Sequence, residues 1–317
     1  MVRVLRSPAQ TLPRAVRVLR SPVEDVSCAL LPSVCRICNQ PLLHLSTSPV
    51  CHACWHALPE QTSPSCSLCG EAFDIQRGFR RLESANTLFP ESLCELCERA
   101  RPPFAQAAAY GVYQNTLRAL IHLLKYERVP SVAAPLGALL AQTIAKMPNL
   151  PDSLTMVAVP LHASKERQRG FNQTILLAEA TLRALRKQQG TPRAPGLPQL
   201  EPALCALGRQ RATESQSSLS PRDRRRNLRG AFFVAEPQRI AGRSILLLDD
   251  IYTTGATARE CSRVLLAAGA TSVYVATLAR SQREGVALWD APSLGAKIAT
   301  TPDLPRSAEP CRTQAPS

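Results

Sequence analysis

The hydrophobic pattern changes character at about residue 104. From there, "AAAYGVY" (107–113) reads as a strand, and "TLRALIHLLKYE" (116–127) has the spacing of an amphipathic helix. "SVAAPLGALLAQTIAKM" (131–147) predicts a second helix and "LTMVAVP" (154–160) a buried strand. "QTILLAEATLRALRKQ" (173–188) is a third helix, and "RSILLLDD" (243–250) a further buried strand. "TARECSRVLLAAGA" (257–270) reads as a helix with Gly269 as its C-terminal stop, and "TSVYVATLAR" (271–280) as one more strand. Strand and helix alternate, which predicts an α/β fold with a parallel sheet. Residues 188–203 are rich in Pro and Gly and read as an inserted loop.

The first third has a different pattern. Eight of the twelve cysteines form four C-x-x-C pairs: Cys35/Cys38, Cys51/Cys54, Cys66/Cys69 and Cys94/Cys97. The N-terminus is basic but has no apolar core segment of a secretory signal, and no apolar run reaches the ~18 residues of a membrane span. A soluble, reducing compartment without membrane insertion is therefore expected, where such pairs point to metal. Two knuckles complete one thiolate tetrahedron, so the eight thiols predict one or two structural zinc ions. Sequential pairing and a cross-braced arrangement of first with third and second with fourth both satisfy the spacing. His52 and His56 are expected at the surface. The expected organisation is a basic, disordered arm (1–23), a Cys-rich zinc-binding module (24–103), an α/β domain (104–282) and a mobile tail (283–317). The arm repeats RVLRSP at 3–8 and 17–22; it reads either as a leader without structure or as an arm that touches nucleic acid.

A formal net charge of +14 favours polyanionic or phosphorylated partners. The candidate chemistry lies in "LLLDDIYTTGATARE" (246–260). Asp249 and Asp250 sit where a strand of an open α/β sheet delivers its ligand contacts. Thr253, Thr254 and Thr257 add hydroxyls, and Gly255 lets the backbone close around an anion at a helix N-terminus. An N-capped helix after an ordinary turn would need one acid and one Thr. The whole run suits a sugar phosphate better: ribose hydroxyls on the acids, and the 5′-phosphate in the loop of Thr253, Thr254, Gly255, Ala256 and Thr257. One unit earlier, "VAVPLHASKERQRGFNQ" (157–173) places a basic loop after a strand. Lys165, Arg167 and Arg169 are its candidates for holding a pyrophosphate. Seven arginines fall between 209 and 229, among them Arg209, Arg211, Arg224, Arg225 and Arg226. They read as a flexible cover over an anionic site, as a track for a nucleic-acid backbone, or as an exposed basic helix.

Four apolar residues, two acids and T-T-G-A-T resemble the motif of type I phosphoribosyltransferases. That resemblance implies binding of phosphoribosyl pyrophosphate (PRPP) with magnesium, and a type I phosphoribosyltransferase-like domain preceded by a small zinc-ribbon module. "LLPSVCRICNQPL", "CHACWHALP", "CSLCG", "CELC", "LIHLLKYER", "VPLHASKERQRGFNQ", the set Thr213, Gln216 and Leu219, "RRRNLRGAF" and "LLLDDIYTTGAT" occur in that order. Over roughly residues 28–280 the chain resembles the ComF family of competence proteins. The resemblance implies a bacterial cytoplasmic protein that handles single-stranded DNA in natural transformation, with the DNA-uptake machinery as a partner. A true phosphoribosyltransferase acting on a base or amine is the alternative.

Overall fold

The computed structural model describes residues 33–42, 48–61, 64–73, 93–189, 197–211 and 226–282. The arm, the tail, Arg224, Arg225, Thr213, Gln216 and Leu219 lie outside them. Five strands form one parallel sheet: β1 (Gln106–Val112), β2 (Ser153–Ala158), β3 (Gln199–Pro202), β6 (Ser244–Tyr252) and β7 (Ser272–Arg280). Their order is β1-β7-β6-β2-β3, which puts β6 at the centre. β4 (Leu207–Arg209) and β5 (Phe232–Val234) form a separate antiparallel pair.

Helices cover both faces, as a parallel sheet requires. On one face lie α3 (Asn115–Lys125), α4 (Ala133–Ala145) and α6 (Gln173–Gln189); on the other lies α7 (Ala256–Ala267). The run Ile245–Leu248 shows why β6 is apolar throughout. Leu246 and Leu248 join the cluster with Leu117, Leu136 and Leu177, while Ile245 and Leu247 join the cluster with Cys261 and Leu265. This alternation continues beyond the apolar run, so Asp249 and Asp250 leave the sheet on opposite faces. α4 and α6 approach closely at Gly137, where a Cβ would sit 2.4 Å from that of Ala180.

The cysteines form two units of the same design. Residues 33–42 and 64–73 are knuckles closed by the bridges Val34–Pro41 and Ser65–Ala72. In each the first thiol-bearing residue donates its N–H across the turn, Cys35 to Gln40 and Cys66 to Glu71, both at 2.8 Å. The residue after the second cysteine takes the left-handed conformation in both, Asn39 at φ 58° and Gly70 at φ 69°. A short helix then completes each unit: α1 (His52–His56) starts at Cys51, and α2 (Glu95–Arg99) starts at Cys94. Pairing is therefore sequential, and the cross-braced alternative is excluded.

Neither unit stands apart from the sheet. Cys35 and Cys54 pack in the α3/α4 cluster, and Cys66, Cys69, Cys94 and Cys97 pack in the α7 cluster. The linker and second knuckle also cover the exposed edge of β1: Leu68 accepts from the Ala107 N–H at 2.8 Å, and Gln61 N–H donates to Tyr110 at 3.0 Å.

Two expectations are corrected. The Pro-rich stretch 188–203 contains β3, a four-residue edge strand that ends at Pro202. An edge position tolerates a proline that a central strand would reject. The basic segment after β2 is a helix, α5 (Ala163–Arg169), rather than a loop. His162 caps it by accepting from the Ser164 N–H, and Gly170 ends it at φ 85°.

Candidate functional site

A cavity of about 1170 Å³ opens at the carboxyl ends of β2, β6 and β7. Asp249 and Asp250 form its floor. Lys165, Arg169 and Arg209 line one side, and Thr253, Thr254 and Thr257 another. Cys69, Leu96, Cys97 and Ala100 of the second cysteine unit form a third wall.

The two aspartates have different environments. Asp250 is 5% exposed, accepts an ion pair from Lys125 at 2.8 Å, and accepts from Gln173 Nε2 at 2.9 Å. Gln173 is oriented in turn by Arg169, whose Nη1 donates to its Oε1 at 2.8 Å. Asp249 accepts the Asp250 N–H at 2.8 Å. Burial, then the charge of Asp250, pushes its acid up to about 7, while Lys125 and Arg209 pull the other way.

This raised acid has a consequence for stability. A carboxyl whose folded pKa exceeds its unfolded value costs stability as pH rises through the window between them. The cost is absent below the ordinary carboxylate range and complete above about 7. Asp249→Asn is therefore expected to melt higher than the parent at pH 8 and no higher at pH 4. Equal melting temperatures at pH 8 would show that Asp249 is not strained. Asp250→Asn should instead destabilise at pH 8, because it leaves the Lys125 ammonium without its partner.

The threonine loop ends at a helix N-terminus. Gly255 has φ 73° and stands at the N-terminus of α7, which has no side-chain cap. A Cβ at that position would lie 2.1 Å from the Tyr252 hydroxyl. Thr254 Oγ1 is buried and has no hydrogen-bond partner. A buried hydroxyl left unpaired costs about 1–3 kcal/mol. Gly255 and Ala256 are buried and do not line the cavity.

Opposite the loop is a crowd of cations. Burial, followed by the charges of Arg209, Arg169 and Lys125, holds the Lys165 ammonium below its usual range. Lys165 and Arg169 are four residues apart on α5 and share one face. Arg167 lies on another face, is exposed, and does not line the cavity. Of the proposed basic cover, Arg209 enters the cavity. Arg211 does not; it donates to the carbonyls of Asn227 and Arg229 at 2.7 and 3.1 Å. Arg226 is exposed.

The thiols of Cys35, Cys38, Cys51 and Cys54 lie within 4.8 Å of one another, and so do those of Cys66, Cys69, Cys94 and Cys97. Sulfur pairs at 3.6–3.8 Å match the edge of about 3.8 Å that a tetrahedron with metal–sulfur bonds of ~2.3 Å requires. Both four-thiol sets therefore fit a metal ion. His52 and His56 stack on each other at the surface and belong to neither set.

No family model matches the chain. The DNA utilization protein YhgH of Salmonella typhimurium is 31% identical over 256 residues, which span 79% of this chain and 98% of that protein. Competence protein F of Haemophilus influenzae is 27% identical over 75% of this chain and 93% of its own length. Competence protein ComFC of Bacillus subtilis is 27% identical over 73% and 84%. The chain belongs to the ComF family. Among solved structures, a B. subtilis glutamine phosphoribosylpyrophosphate amidotransferase covers 47% of this ComF chain and 26% of its own, at 21% identity and a TM-score of 0.29.

Several cavity residues of this ComF protein were not among the candidate site residues read from the sequence. Lys125 and Gln173 reach Asp250 from α3 and α6. Arg280, at the end of β7, is buried at 3% exposure and pairs with Glu71 of the second knuckle. Its guanidinium lies 4.2 Å from the Tyr252 ring centroid and donates to Cys69 Sγ at 3.5 Å. Arg259 on α7 donates to the Ala100 carbonyl at 3.0 Å. Arg280 and Arg259 thus tie the second cysteine unit to the threonine loop. An acid three residues from an arginine could have been noticed in sequence; an acid 209 residues away could not.

Proposed function

We propose that this ComF protein binds PRPP, or a related ribose phosphate, with magnesium in the cavity, and handles single-stranded DNA during DNA uptake. The observation that carries the first half is the uncapped helix N-terminus at Gly255, with Thr253, Thr254 and Thr257 lining the same cavity as Asp249. The 5′-phosphate would take the loop Thr253–Thr257. Lys165, Arg169 and Arg209 would hold the diphosphate and relieve their own repulsion. Asp249 would accept from a ribose hydroxyl, whereas Asp250 is already engaged and would act mainly by holding Lys125 and Gln173. Magnesium, which keeps most of its shell as water and substrate oxygen, would arrive with the diphosphate and use Asp249 as its nearest carboxylate.

Zinc is the metal that suits two closed four-thiol sites, and a reducing bacterial cytoplasm keeps such thiols available. The net charge of +14 and the relatives' names, DNA utilization and competence, support the DNA half of the reading. Anisotropy of a 5′-phosphorylated single-stranded oligonucleotide tests it. Binding that weakens steeply with salt and is displaced by magnesium-PRPP is expected. Binding that PRPP leaves untouched would separate the DNA from the cavity.

One observation favours the transferase as a second reading. Both amide atoms of Gln282 are buried without partners in the same cavity. An amide with a free donor and a free acceptor can read a planar base edge. Release of pyrophosphate from PRPP in the presence of a nucleobase would favour it over binding alone.

A further inference from the structure

The outer face of α3 has an unusual composition. Its inner face is a run of buried leucines, as expected. Outside, Arg118, His122 and Tyr126 follow at intervals of four residues and so form one stripe. The stripe is a ladder of rings and guanidinium groups. The Tyr113 ring lies 6.0 Å from Arg118 Cζ and 6.4 Å from the His122 ring. His122 lies 5.1 Å from the Tyr126 ring, and Arg169 Cζ stands 5.3 Å over Tyr126. Tyr113 Oη and His122 Nε2 are 3.0 Å apart, which fixes both rings.

Tyr126 is 65% exposed, more than any other large hydrophobic side chain among the described residues. An exposed ring at that level has apolar surface without a partner in the fold. Tyr113 and Tyr126 also line the mouth of the cavity, so the ladder runs out of it. Its charge is positive: Arg118 and Arg169 stand over the rings, and the neighbouring acid Glu127 is held by Arg36 at 3.3 Å.

We propose that this face of α3, capped by Tyr113 and Arg169, is a stacking track for a single-stranded nucleic acid whose end reaches the cavity. The proposal rests on the DNA-handling reading above and deepens it. Rings spaced along a cationic strip match a chain of bases joined by phosphates: bases stack on Tyr126 and Tyr113, and guanidinium groups meet the backbone. A duplex would keep its bases stacked on one another and gain little from the rings. The arginine-rich segment after Arg209 is then not required for stacking, since the aromatic surface lies elsewhere.

The test uses the full, metal-loaded chain and an oligonucleotide carrying the fluorescent base analogue 2-aminopurine. Wild type is expected to bind with a change in 2-aminopurine emission that reports stacking. Tyr126→Ala should weaken binding about 10-fold or more and remove that change, while Tyr126→Phe keeps both. Because Tyr126 is exposed, an unchanged melting temperature is expected for both variants. Arg118→Ala should instead lower the slope of log affinity against log salt by about one phosphate contact. No binding by wild type at moderate salt would remove the DNA-handling reading itself. Binding by wild type with Tyr126→Ala unaffected would overturn the track alone. Equal affinity for a polyphosphate of matching charge would also overturn it, since that chain has no bases to stack.

Discussion

Cys66→Ser is expected to halve the zinc content, from two ions per chain to one, and to lower the melting temperature by ~10 °C or more. In a small thiolate site, metal-binding energy is folding energy. Cys66, Cys69, Cys94 and Cys97 are all buried in the cluster that carries Leu247, Val275 and Leu265. A loss of even ~4 kcal/mol there gives a shift of that size in a domain of ~200 residues. The same variant should lose affinity for a ribose phosphate, because Cys69 and Cys97 wall the cavity. Cys38→Ser, at the exposed corner of the first site, should also lose one zinc but keep more of that affinity. Elemental analysis and thermal melting of the two variants check both statements. Two full zinc ions in purified Cys66→Ser would contradict the ligand assignment.

Glu71→Ala should destabilise the protein by about 3–5 kcal/mol, the usual cost of leaving one partner of a buried ion pair alone. The Arg280 and Glu71 side chains are 4% and 7% exposed. Arg280 would still donate to Cys69 and face Tyr252, but it would have lost its carboxylate partner. The double variant Glu71→Leu with Arg280→Met should recover a large part of the loss, because the buried charge itself is removed. Denaturant melts of the single and double variants form the comparison. An additive double variant would show that the two side chains act independently, and the pair would then not be the link between the second cysteine unit and the threonine loop.

The Arg280–Glu71 pair also shows where sequence reading stops. β2, β6, β7 and α7 were legible because each is written in consecutive residues: an apolar run, an acid pair, a threonine turn and a helix stopped at Gly269. The placement of Asp249 and Asp250 at a strand end followed from the same run. Their different roles needed the register, which sends Asp249 toward Arg209 and Asp250 toward Lys125. The partner of Asp250 on α6, Gln173, is 77 residues away, and the motif that ends at it does not show which acid it meets. α5 resembles a loop in sequence because basic residues dominate it, although its His162 cap and Gly170 stop are helix signals. As a helix it keeps Lys165 and Arg169 in the cavity and turns Arg167 away. The four C-x-x-C pairs were legible as metal ligands, but sequential and cross-braced pairing differ only in three dimensions. β3 stayed hidden because edge strands tolerate the prolines that argue against a central one.

The threonine loop and Asp249 are proposed to bind a ribose phosphate. Calorimetric titration of zinc-loaded protein with magnesium-PRPP tests it most directly, with Thr254→Val as the control. The valine matches the shape of the threonine and removes the unpartnered hydroxyl. Saturable one-to-one binding by wild type, weakened about 10-fold or more in Thr254→Val, is the predicted result, on the scale of one hydrogen bond to a charged group. An absence of binding by wild type, or equal affinity in the two proteins, would contradict it.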